Sequence, residues 1–234
     1  MPAYIISIIP LNISEHIVER RYHPAHNIRT VLNGIFKKAV ADDKEINPYL
    51  PSMITLPKME ESDVQPFTEE EQLKMWYSYE EGNTDLAAPL IMIYTGMMPG
   101  EVLKLTKDMI DLEAKEIVKD VGLKTKERKK RSVLLPDDII PVVEDAMARA
   151  KTDRLFPMTR KQLYKIYYPA LERAGITRHL TPYSCRHTTA TAVVLRGNVA
   201  PQVLQRIMRW KDTRMADRYV TPDQSDARKA LKVI

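Results

Sequence analysis

The chain of 234 residues contains one cysteine, Cys185. A single thiol excludes a disulfide framework and a cysteine-based zinc site, and it suits a reducing compartment. Long apolar runs are also missing. The apolar start, PAYIISIIP, is far shorter than the roughly 20 residues of a membrane span. No basic segment precedes it, as a signal peptide requires. The expectation is a cytoplasmic protein with no export and no membrane partner. Internal repeats and low-complexity tracts do not occur.

What is present is ordinary in kind and biased in charge. Hydrophobic residues make up 44% and charged residues 29%, the balance of a soluble globular chain with a real core. The formal net charge of +5 favours a polyanionic partner.

From the N-terminus, Ser14 is placed to cap a short helix. After Pro24 the apolar positions Ile28, Val31, Leu32, Ile35, Phe36 and Val40 fall at helical spacing, with Arg20, Arg21, Arg29, Lys37 and Lys38 on the polar sides. These charges read equally as a solvated face or as DNA-backbone contacts. The stretch EINPYLPSMITLPKMEESDVQP is proline-rich and reads as an extended linker, because Pro and the residue before it both disfavour helix. Thr68 and Glu71 have the spacing of a capping box, so a helix should begin there. A buried helix is expected over about Asp85–Tyr94, ended by Thr95-Gly96, and another starts at Pro99-Gly100-Glu101. Asp111-Leu112-Glu113 leads into a strand.

Ile117-Val118 and Ser132–Leu135 have strand composition, with the most basic run of the chain between them. Lys124, Lys126, Arg128, Lys129, Lys130 and Arg131 read as the tip of a β-hairpin suited to a phosphate row, the plain alternative being a solvated loop. Pro136-Asp137-Asp138 is expected to cap a helix through about Arg149, and Lys161–Ala174 forms another. The fold class expected is mainly α with a small antiparallel β-sheet (α+β).

Residues Thr181–Tyr219 carry the chemistry. An Arg-His pair, Arg186-His187, opens a helical run, and Tyr219 closes it in basic surroundings. A phenol is a poor nucleophile near neutral pH, since its unperturbed pKa is about 10. Arginines beside it can hold a phosphate and ease attack on phosphorus. Without its flanking boxes Tyr219 would read as a structural tyrosine.

Four segments in order resemble the tyrosine recombinases, the phage and transposon integrases. YTGMMPGEVLKL is similar to the family's T-G-L-R-x-G/S-E-L box, and LKTKERKKRSVLLP to its lysine-bearing hairpin. LTPYSCRHTTAT is similar to T-P-H-x-L-R-H-T. MRWKDTRMADRY is similar to the final box, in which Tyr stands nine residues after His or Trp, as Tyr219 stands after Trp210. NPYLPSMITLPK resembles the exit of the family's helical core-binding domain. The resemblance runs from about Asn27 to the C-terminus. It implies a partial core-binding domain over residues 1–58, a linker over 59–66 and a catalytic domain over 67–234, with no arm-binding domain.

The resemblance further implies a site-specific recombinase or integrase that cuts and rejoins double-stranded DNA through a 3′-phosphotyrosyl intermediate. Neither cofactor nor metal is needed if Arg and Lys stabilise the phosphorane. Tyr219 is then the nucleophile, Arg186 a phosphate clamp and Trp210 an N–H donor to the phosphate. Lys124 is the general acid, with Lys126 as second choice, and Glu101 orients the arginine cluster. Tyr183 stands where the family usually has His. Met98 stands where it has its first catalytic arginine, and a thioether offers neither donor nor charge. Two readings result: a recombinase impaired at Met98, or an inactive DNA-binding relative. A type IB topoisomerase-like enzyme shares the chemistry but not the architecture. His187 reads as a packing residue, His179 as a remote substitute for the missing His, and Cys185 as a small buried residue. Arg209 replaces the usual Gly before the His or Trp. The implied assembly is a monomer when free and a homo-tetramer on DNA, associated with the bacterial nucleoid. The tail after Tyr219 reads either as a protomer-packing segment or as a frayed end.

Overall fold

The computed structural model describes residues 22–42, 44–57, 64–118, 132–197, 199–216 and 219. The chain divides into two compact units, residues 1–63 and 64–234.

In the first unit, α1 spans Tyr22–Ala41. The expected periodicity closes only a small cluster, in which Ala25 and Ile54 are buried and Ile28, Leu32 and Leu56 pack around them. Val31, Ile35 and Val40 stay exposed. The proline-rich stretch is not extended throughout. Leu50–Met53 forms one 3-10 turn with Pro at its start. Arg29 ties the end of this turn to α1 by donating to the Ile54 carbonyl at 3.4 Å. Proline at a first helical position costs no hydrogen bond, so a short turn survives where a long helix cannot.

The second unit is mostly helical. Helix α2 (Glu69–Glu80) opens on the anticipated capping box. Glu71 N–H donates to Thr68 Oγ1 at 3.2 Å, and Thr68 N–H donates to Glu71 Oε2 at 2.9 Å. A 3-10 turn at Thr84–Leu86 leads into α3 (Ala87–Thr95), whose sequence AAPLIMIYT is apolar on every side. Such a helix must be buried all round, and all its residues except Tyr94 are. Pro99–Val102 forms the short α4.

Three two-residue strands come next: β1 (Ile110–Asp111), β2 (Glu116–Ile117) and β3 (Val133–Leu134). They form an antiparallel sheet in the order β1-β2-β3, with Ile117 opposite both Ile110 and Val133. The basic run Lys124–Arg131 lies in sequence between β2 and β3 but outside the described residues.

The next helix differs at its start from the expected side-chain cap. Asp137–Ile139 is a 3-10 turn without a capping side chain, and it feeds α5 (Ile140–Arg149). Asp137 instead accepts from Lys115 Nζ at 2.6 Å. Helix α6 spans Arg160–Arg173, with a second capping box between Thr159 and Gln162. Helix α7 (Pro182–Gly197) and α8 (Pro201–Met208) complete the unit, before a 3-10 turn at Thr213–Met215. Both α5 and α7 pack against α3. Thr189 on α7 donates to the Ile93 carbonyl at 2.6 Å, and Phe67 N–H donates to Thr188 Oγ1 at 2.8 Å. No helix among the described residues is long and apolar enough to cross a membrane.

Candidate active site

The C-terminal ends of α3 and α8 meet the first turns of α7, and Arg186 joins them. Its side chain is 7% exposed. Nη1 donates to the Gly96 carbonyl and Nη2 to the Met208 carbonyl. Gly96 ends α3 in the left-handed region at φ 63°, and a Cβ there would sit 3.0 Å from Met208 Sδ. Glycine meets both the torsion and the close approach without strain.

A second apolar cluster supports this corner. Ala190 of α7, Leu204 and Met208 of α8, Trp210 and Ala216 are buried together, with Tyr219 packed against them. The Trp210 indole is the shared surface. The Arg186 guanidinium carbon lies 6.0 Å from its ring centroid. The Tyr219 ring stacks on it at 5.6 Å with 19° between planes. Tyr219 Oη lies 2.6 Å from His187 Nδ1, with the donor set by the imidazole tautomer. The structure therefore brings together three expected residues, Arg186, Trp210 and Tyr219. It adds His187, which the sequence alone assigns to packing.

Glu101 and Arg209 form the layer beneath. Met98 N–H donates to Glu101 Oε2 at 2.9 Å, closing the first turn of α4. The same oxygen accepts from Arg209 Nη2 at 2.7 Å. The two side chains, Arg209 and Glu101, are 1% and 0% exposed. Arg209, at the position where the resemblance has glycine, ends α8 in the left-handed region at φ 53°. A non-glycine residue there costs roughly 1–2 kcal/mol, which the buried ion pair must offset. Arg209 is flanked in sequence by Met208, whose carbonyl takes Arg186, and by Trp210. A guanidinium thus stands on the carboxylate that holds position 98, while Met98 itself is half-buried.

The other expected residues are spread more widely. Tyr183 is exposed at the start of α7, with the Arg160 guanidinium 5.6 Å over its ring and Nη2 3.4 Å from its hydroxyl. His179 stacks on Tyr168 at 5.0 Å, so its ring contact is with α6 and not with Tyr183. Cys185 is buried, and burial pushes its thiol up to about 12 despite the neighbouring Arg186. Lys124, Lys126, Arg128, Lys129, Lys130 and Arg131 lie outside the described residues, as does the tail after Tyr219. A separate cleft of about 290 Å³ is lined by Ala88, Leu155, Phe156 and their neighbours, and none of the site residues borders it. Among the described residues no group of three or more His, Cys, Asp or Glu could hold a metal ion.

Comparison with known proteins gives the same picture. A sequence search among curated proteins finds no match. The fold is similar to that of the Tn1549 transposon integrase solved with circular intermediate DNA. The TM-score is 0.72 at 19% identity, over 95% of this chain and 82% of that one. It is similar to the XerH site-specific recombinase bound to a palindromic difH substrate, at TM-score 0.70 and 20% identity, over 97% and 71% of the two chains. XerA recombinase aligns with TM-score 0.57 and 18% identity, over 99% and 92%. At these identities the likeness is one of fold. The sequence also matches the phage integrase family over residues 66–226, from just before α2 to beyond Tyr219. The chain therefore belongs to the phage integrase family, and its second unit has the tyrosine recombinase catalytic fold.

Proposed function

We propose that the protein is a site-specific DNA recombinase that cuts and rejoins double-stranded DNA through a 3′-phosphotyrosyl intermediate. The observation that carries this reading is the common indole. Nucleophile and phosphate clamp, Tyr219 and Arg186, both lie against Trp210. Family membership supports it, and so do structural neighbours solved in complex with DNA.

In this reaction Tyr219 Oη attacks a backbone phosphorus and the 5′-oxygen leaves. Lys124 protonates the leaving oxygen. Arg186 suits the non-bridging oxygens because its planar fork is always charged and binds phosphate bidentately. Trp210 and Tyr183 supply further polar edges, and Glu101 holds the turn carrying position 98. The basic residues Lys126, Arg128, Lys129, Lys130 and Arg131 grip the phosphate row. Attack by the 5′-hydroxyl of a partner strand reverses the step. One phosphate ester replaces another, so no nucleotide cofactor is consumed. The working assembly is a homo-tetramer on DNA, built from protein that is monomeric when free.

Nicked suicide duplexes with randomised core positions provide the test. The expected result is a covalent protein–DNA adduct that resists denaturation, selects a sequence and disappears in Tyr219→Phe. Intact DNA binding without an adduct on the selected sites overturns the strand-transfer reading.

Met98 favours a second reading, a DNA-binding relative without cleavage. A thioether replaces the family's first arginine, and loss of one preorganised donor from such a site costs roughly 10² to 10³ in rate. Salt-dependent binding with no adduct would identify it.

A further inference from the structure

Attack by a phenol on phosphorus requires the phenolic proton to leave. The resting structure offers a specific acceptor for it, since His187 Nδ1 lies 2.6 Å from Tyr219 Oη. We propose that His187 is the general base that takes the Tyr219 proton during DNA cleavage and returns it during rejoining. The proposal rests on the strand-transfer reading and gives a chemical role to a box residue that the sequence alone assigns to packing.

Three features of the site support it. The contact spans 32 residues of sequence, so it is a product of the fold and not of local chain geometry. Both rings are partly exposed. His187 is fixed on α7 directly after the buried Arg186, while Tyr219 is stacked on Trp210. Finally, the imidazole ring lies tilted by 42° to the phenol, with centroids 5.6 Å apart. The rings therefore meet at the Nδ1–Oη edge contact and are not stacked face to face.

The step balances without an outside reagent. The neutral imidazole carries its proton on Nε2 and accepts at Nδ1. The Oη–H bond breaks, the proton moves to Nδ1, and the freed electron pair forms the O–P bond. The 5′-oxygen departs with the electrons of the old P–O bond and takes its proton from Lys124. The result is a phosphotyrosine beside an imidazolium. On rejoining, the 5′-hydroxyl gives its proton back to Lys124 as it attacks phosphorus, and the imidazolium returns its proton to the departing phenolate. Among the described residues, Arg186 directly precedes His187 on α7 and lies over the Trp210 indole on which Tyr219 stacks, and Arg209, paired with Glu101, directly precedes Trp210 in sequence.

Two measurements test the assignment. In protein without DNA, the imidazole nitrogens of His187 are tracked by ¹⁵N NMR against pH. Tyr219→Phe should move both the Nδ1 resonance and the titration midpoint, and an unchanged titration overturns the proposal. In cleavage assays on the selected duplex, His187→Gln keeps a polar side chain but cannot take a proton. Its cleavage rate should fall by roughly 10² to 10⁴, the usual contribution of general acid–base catalysis. A bridging 5′-phosphorothiolate substrate needs no acid at its leaving sulfur, so it should rescue Lys124→Ala and leave the His187→Gln deficit in place. Rescue of His187→Gln by sulfur, or cleavage within threefold of wild type, sinks the base assignment. A wild-type protein with coupled NMR titration but no adduct sinks the strand-transfer reading and the catalytic use of the pair together. Adduct formation without the coupling sinks this proposal alone.

Discussion

Arg209 donates to the Glu101 carboxylate at 2.7 Å, and both side chains are out of contact with water. Removing the cation leaves a buried carboxylate that still holds Met98 N–H but has lost its countercharge. Breaking such a pair from one side typically costs about 3–5 kcal/mol. Arg209→Met should lose stability on that scale by urea denaturation. Arg209→Met/Glu101→Gln, with the charge also removed, should recover much of it. A double variant no more stable than Arg209→Met would show that the pair is not electrostatically coupled.

Met98 is the second position to test. Arginine there adds a guanidinium on the turn that Glu101 already anchors. Met98→Arg should raise adduct formation on a nicked duplex by about 10² to 10³, the value of one preorganised donor. An unchanged yield would mean that the defect lies elsewhere or that Arg209 already supplies the missing charge.

Gly96 combines a positive φ with a close contact, since a Cβ there would press on the Met208 side chain. Gly96→Ala should destabilise the protein by roughly 1–3 kcal/mol through backbone strain and crowding. It should also displace the carbonyl that receives Arg186. Guanidinium denaturation reads the first effect, and DNA cleavage, normalised for folded protein, reads the second.

Glu71 links acid stability to the start of the catalytic unit. The Arg178 guanidinium holds its carboxyl below its ordinary range, opposed by burial and assisted by the Thr68 cap. A depressed folded-state pKa contributes stability that is present above the unfolded value and lost as pH falls through the folded one. Glu71→Gln should therefore cost up to about 1 kcal/mol at neutral pH, the scale of one ion pair near the surface, because Gln can still close the box as Gln162 does at α6. The gap between variant and wild type should close as the buffer is taken below the carboxylate range. A gap of constant size down to that range would refute the link.

Cys185 should be silent toward thiol reagents in the native protein, because burial pushes its thiol up to about 12. Reaction with a disulfide reagent should appear only on adding denaturant, and its onset should track unfolding.

The sequence was most legible where a local rule decides the outcome. The Thr68–Glu71 box starts α2, the apolar run of α3 is buried, and Gly96 sits at its end with positive φ. Tyr219, Trp210 and Arg186 could be named because motif spacing fixes them along the chain. The Tyr219–His187 contact was not legible, because no spacing rule joins residues that meet only when α7 and the segment after α8 pack together. The Arg209–Glu101 pair was hidden for a similar reason, 108 residues apart, although an arginine in a glycine position was a visible irregularity. The proline-rich linker misled because proline density suppresses long helices but permits the single turn at Leu50–Met53.

One consequence of the Arg186 contacts concerns timing. Its guanidinium is tied to the carbonyls that end α3 and α8, so its direction is set when the protein folds and not when a ligand arrives. A flexible arginine gives up rotamer freedom each time it closes on a phosphate, of the order of 0.5–1.5 kcal/mol per immobilised side chain. Here that ordering is complete beforehand, so on the strand-transfer reading every successive strand would meet the same fixed charge. Substitution of Arg186 consequently loosens the joint between two helices as well as removing a cation, and even Lys, lacking the fork, cannot span both carbonyls in the same way.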